Sequence, residues 1–67
     1  MSIKNIREAL QAAGIAGANT ATMRYGEHEP STGAQAQIYV IGGKEIERPA
    51  GEMASVSVVE LVRALKG

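Results

Sequence analysis

The sequence contains no cysteine, phenylalanine, tryptophan or aspartate, only one histidine and only two prolines. Without cysteine there is neither a disulfide framework nor a thiolate metal site, and one histidine cannot supply a cluster of nitrogen ligands. No cofactor and no metal are therefore expected. A dominant charge sign is also missing, because seven Lys and Arg balance seven acids, all of them Glu. That balance lacks the basic footprint of a nucleic-acid binder and the strong acidity of a DNA mimic. Long hydrophobic runs are absent as well. Met1-Ser2-Ile3-Lys4-Asn5-Ile6-Arg7 intersperses charge with apolar residues, so neither a signal peptide nor a membrane span is expected, and the cytoplasm is the expected compartment.

What remains is 67 residues, enough for one domain over 1–67. A chain of this size buries only about 60% of the surface its unfolded form exposes. Its core must be thin, which leads us to expect marginal stability or support from a second chain.

Ile3, Ile6, Leu10 and Ala13 recur at steps of three and four, with Lys4, Arg7, Glu8 and Gln11 opposite. This is the pattern of a surface helix, predicted over Ile3 to Ala13 with Ser2 as N-cap. Gly14 can turn left-handed at its end, and Ile15 can close back on Leu10 as in a Schellman stop. From Asn19 to Tyr25 the period becomes two, with Ala21, Met23 and Tyr25 alternating with Thr20, Thr22 and Arg24, which predicts a first strand. Residues 26–35 hold Pro30 and Gly33 and little that is apolar, and are expected to form a mobile loop.

Ala36 to Ile41 is the most strand-like segment, and Gly42-Gly43 leads into Lys44 to Arg48 as a hairpin. Two registers are open. A two-residue turn sets Tyr39 opposite Ile46 and leaves Glu45 and Glu47 beside Val40 and Ile38. A three-residue loop sets Val40 opposite Ile46. A one-residue slip exchanges the faces of the whole strand. The odd loop is the expectation, since it groups Ile38, Val40 and Ile46 and sends Tyr39 outward. Pro49 and Gly51 then end the third strand.

Ser57-Val58-Val59-Glu60 has capping-box spacing, with Val56 and Leu61 placed for a hydrophobic staple. A second helix is predicted from Val58 to Lys66, burying Val58, Leu61, Val62 and Leu65 and carrying Arg63 and Lys66 in its last turn. The order α-β-β-β-α with short connections predicts an α+β fold, a three-stranded antiparallel meander with both helices on one face. The other face would present Thr20, Thr22, Arg24, Gln37, Tyr39 and Ile41.

Catalytic signals are weak. Glu27-His28-Glu29 is the one local cluster of titratable groups with an imidazole, and adjacent residues in a loop do not converge on a substrate or ion. Gly14-Ile15-Ala16-Gly17 matches the bare GxxG of a KH domain's RNA-clamping loop but lacks flanking basic residues and leads to a strand where that loop leads to a helix, and Gly42-Gly43-Lys44 offers a minimal anion nest of the kind any glycine hairpin with one lysine presents. No phosphate-loop, dinucleotide or nucleophile-elbow motif occurs.

The element order resembles that of the double-stranded-RNA-binding domain and of the HicA-type toxins that cleave messenger RNA. The resemblance is one of topology. Where a double-stranded-RNA binder carries lysines at the start of its last helix, this chain reads Ser55-Val56-Ser57-Val58; where the toxins carry Gly-Ser-His on a strand, it reads Gly26-Glu27-His28. The function expected from these observations is a small non-enzymatic binding protein, an adaptor, inhibitor or accessory factor of the kind bacteria and phages encode. It would engage a protein partner or a second copy of itself as a homodimer through the open sheet face, with no membrane involved. The alternative is a nucleic-acid-binding domain, with Arg24, Lys44 and Arg48 forming a local basic patch and His28 cleaving RNA.

Overall fold

A computed structural model describes residues 3–66. Helix α1 spans Ile3–Ala12, strands β1, β2 and β3 span Thr22–His28, Gln35–Ile41 and Lys44–Arg48, and helix α2 spans Ala54–Lys66. The sheet order is β1-β2-β3, antiparallel throughout. This is the α+β meander that the periodicities predict.

α1 ends as its sequence requires. The Gly14 N–H donates to Gln11 O at 2.9 Å and the Ile15 N–H to Leu10 O at 3.1 Å, the two bonds of a Schellman stop. Ser2, the expected cap at the other end, lies outside the described residues. The first strand starts later than its alternation suggests, because Ala18–Thr20 closes a 3-10 turn whose Ala18 is buried. Arg7 on α1 then donates from Nε to Ala21 O at 2.7 Å, tying the helix to the approach to β1.

The predicted loop at 26–35 is shorter than expected. β1 continues to His28 through an irregularity after Tyr25, and β2 begins at Gln35, opposite His28. The connection is closed by Glu29 N–H to Ala34 O and Gly33 N–H to Glu29 O, both 2.7 Å. Residues Glu27 to Ala34 are all exposed, so strand pairing there rests on backbone bonds with little burial behind them.

The β2–β3 hairpin corrects the expected register. Tyr39 pairs with Ile46, Val40 with Glu45 and Ile41 with Lys44, which is the two-residue turn. Gly42 and Gly43 have φ of 58° and 84°. Positive φ at both central residues is the condition for a type I′ turn, whose twist matches that of the strands it joins. Two adjacent glycines meet that condition without steric cost, and the odd loop would use only one of them in this way.

The consequence is that β2 faces the other way. Tyr39 and Ile41, expected on the open face, are each 1% exposed and lie in the core with Ile6, Leu10, Ile15, Ala18, Ala21 and Leu61. Both helices contribute to that core, so both cover the face of Tyr39, Ile41 and Ile46. The reason is area as well as turn geometry, since an aromatic ring on the central strand removes more apolar surface from water than Val40 would at the same place.

The second helix begins four residues before its expected start. The Met53 carbonyl accepts from the Val56 N–H at 3.0 Å and the Ser57 N–H at 2.9 Å, so Met53 holds the N-cap position. Ser57 is therefore no cap. It sits inside the helix, fully buried, and its hydroxyl donates to Glu52 Oε1 at 2.8 Å. The expected staple is absent, since Val56 is 44% exposed.

Candidate functional site

The face of the sheet left bare by the helices is built from two cross-strand rows. Thr22, Val40 and Glu45 form one, and Arg24, Ile38 and Glu47 the next. Ile38 and Val40 are only half-buried although they lie on the central strand. On that strand backbone neighbours on both sides remove part of their surface from water, so the exposure that remains points away from the domain. The Ile38 side chain extends over β1, where its Cδ1 would lie 3.5 Å from a Cβ built on Gly26.

The charges around this apolar strip are not mixed. The β1 side carries Arg24 and the β3 side carries Glu45 and Glu47. Arg24 Nη2 reaches across β2 to Glu45 Oε1 at 3.2 Å, with the two side chains 54% and 61% exposed. A pair so accessible to water contributes under about 1 kcal/mol, and either member is free to exchange it for another partner. Glu47 forms no ion pair among the described residues. An apolar centre with a cation on one flank and carboxylates on the other suits recognition of a surface; it contains no base poised on a nucleophile.

Of the residues expected on this face, Thr22 and Arg24 lie there. Thr20 belongs to the 3-10 turn and its hydroxyl donates to Gly17 O at 3.1 Å. Gln37, Tyr39 and Ile41 project to the helix-covered side, where the Tyr39 hydroxyl donates to Gln37 Oε1 at 2.7 Å. Ile38, Val40, Glu45 and Glu47 take their place. The paired glycines were the signal for this exchange, since they favour the two-residue turn.

The basic residues considered for nucleic acid do not come together. Arg24 is on the bare face, whereas Lys44 and Arg48 pair with Ile41 and Gln37 on the other side, at opposite ends of β3. Arg48 is also committed to Glu52 in an ion pair that ties β3 to the start of α2. Its Nε donates to Glu52 Oε1 at 2.7 Å and its Nη2 to Oε2. The Arg48 hydrogen bonds hold the Glu52 carboxyl below the usual range, against the desolvation that works the other way, and the Ser57 hydroxyl adds to the effect. Glu52 in turn raises the Arg48 guanidinium. This network is structural, joining an element of the sheet to a helix.

His28 is exposed at the end of β1, opposite Gln35. Among the described residues no three His, Cys, Asp or Glu side chains gather as a metal site would need. The GxxG at Gly14–Gly17 packs against the hairpin turn: a Cβ on Gly17 would fall 2.8 Å from the Gly42 Cα. Beside this contact lies an open cleft of about 390 Å³ that includes Lys44 and Lys66. The segment that follows α1 and the end of α2 both line it, and Lys66, in the last turn of α2, offsets the negative end of that helix dipole. No helix among the described residues is long and apolar enough to cross a membrane.

No protein-family model, no curated protein and no solved structure matches this chain.

Proposed function

We propose that this protein is a non-enzymatic binding module that engages a protein partner through the bare sheet face of Thr22, Arg24, Ile38, Val40, Glu45 and Glu47. One observation carries the reading. The two helices share one side of the sheet, and Ile38 and Val40 are only partly buried on the other, framed by unlike charges. Single apolar residues on a surface are ordinary. Two on the central strand, adjacent along one face and ringed by Thr, Arg and Glu, form a small patch with the apolar centre and polar rim of an interface. Val56 and Val59 are more exposed, on the outer side of α2 beside the Arg63 to Glu60 pair, but they lie on one helix, where the sheet face joins residues of three strands.

A photo-crosslinking amino acid placed at Val40 or, separately, at Val59 tests this in cells that express the protein. Protein adducts from position 40 and few from position 59 are expected. Adducts from position 59 alone would transfer the binding surface to α2 and end the proposal.

A further inference from the structure

We infer that the occupant of this face is a second copy of the same chain, paired face to face about a two-fold axis parallel to the strands. The inference rests on the reading of the sheet face just given, and adds to it the partner and the orientation.

Two sheets stacked in register through their bare faces can be related by a two-fold axis in one of two simple ways. With the axis perpendicular to the strands, β1 meets β1 of the copy and β3 meets β3. Glu45 and Glu47 would then confront the copy's Glu47 and Glu45, and Arg24 would lie over the copy's Thr22 with no carboxylate opposite it. With the axis along β2, each β1 lies over β3 of the copy. Arg24 then sits at the height of the copy's Glu47, because both belong to the row that contains Ile38, and Thr22 sits over the copy's Glu45. Each contact occurs twice, as an isologous interface requires. Ile38 and Val40 stack on their counterparts in the centre, close to the aligned packing that two twisted sheets adopt. Charge selects the second arrangement, since like charges face to face are strongly disfavoured.

The size of the patch fixes what kind of dimer this is. Three strands about 4.8 Å apart and about five residues at roughly 3.3 Å each give a footprint of about 240 Å² per chain, on the order of 500 Å² for the pair, below the size of a stable specific complex. A weak dimer, in exchange with monomer and populated only at high concentration, follows. The neighbouring Arg24 to Glu45 pair does not oppose it, because both side chains are accessible enough to re-pair.

The experiment is a charge exchange read by light scattering over a dilution series. The wild-type chain is expected to rise from monomer toward dimer mass with concentration. Arg24→Glu alone, which opposes acid to acid twice, and Glu47→Arg alone, which opposes base to base twice, are each expected to weaken the dimer by about tenfold or more. Mixed in equal amounts they restore two attractive contacts per pair, and the mixture is expected to regain dimer mass. Thr22→Arg, which adds a cation over the copy's Glu45, is expected to tighten it; this variant does not depend on either charge-reversed chain folding.

A wild-type chain that remains monomeric at every concentration overturns the second copy as occupant. The face itself would still stand if position 40 crosslinks to a heavier foreign protein, and would fall with it if position 40 yields no adduct. A wild-type dimer that neither variant weakens, or a mixture that stays monomeric when each variant alone is folded by circular dichroism, overturns the orientation.

Discussion

At the scale of single residues, the molecule distinguishes sharply between the two sides of β2. Tyr39 fills the core and Val40, its neighbour, looks out. Tyr39→Ala is expected to cost about 3–5 kcal/mol, as large-to-small changes of buried aromatics do, and Val40→Thr under about 1 kcal/mol. Urea unfolding of the two variants checks this, and a larger loss at Val40 than at Tyr39 would mean that β2 is turned the other way. Gly17 is a second sensitive position. A Cβ there would press on Gly42 at 2.8 Å, and its φ of 80° is already in the left-handed region. Gly17→Ala is expected to cost at least about 1–3 kcal/mol, measured in the same way. This places the GxxG among packing contacts, where a sequence reading for RNA-clamping loops would look for phosphate.

At the scale of elements, α2 shows how a local signature can be outranked. Ser57 and Glu60 have capping-box spacing, but Glu52 lies closer to the core and takes the Ser57 hydroxyl into its pairing with Arg48. Helix capping falls instead to Met53, a residue whose side chain accepts no cap bond and is 70% exposed. Met53→Ser is expected to stabilise the protein by about 0.5–1 kcal/mol, through a side-chain acceptor for the first turn. Thermal melts test it, and unchanged or lowered stability would show that the thioether packs more than its exposure implies.

The same network makes a pH prediction. Glu52 has its carboxyl lowered by Arg48, so in the unfolded chain it binds protons at a pH where the folded chain does not. Its contribution is therefore complete above the ordinary carboxylate range and is lost as pH falls through that range to the lowered folded value. Glu52→Gln should be less stable than wild type at neutral pH, with the difference shrinking toward acid. Parallel melts from neutral to acidic pH give the comparison; a gap that is constant with pH would remove Glu52 from the acid transition.

At the scale of the whole molecule, much of the fold is readable from periodicity. The 3.6-residue stripe of Ile3, Ile6 and Leu10 predicts α1, and Gly14 with Ile15 predicts its stop, because each depends on neighbours within one turn of helix. The alternation and paired glycines of residues 36–48 predict the hairpin, and short connections predict the antiparallel order. Two helices on one face follow, since each has a single apolar stripe to bury. Less of the binding face was legible. Thr22 and Arg24 could be placed on it because β1 is apolar on one side and polar on the other. The β2 contribution could not, because Ile38 and Val40 are apolar and so are Tyr39 and Ile41.

The sequence by itself thus determined the order of helices and strands, though not all of their bounds, through contacts only a few residues apart. Only the tertiary structure decided which side of β2 meets the helices and where α2 begins. A strand apolar on both faces carries no preference of its own. The choice came from the twist of the Gly42-Gly43 turn and the larger burial offered by Tyr39, and from the Arg48 to Glu52 pair that brings β3 against the start of α2.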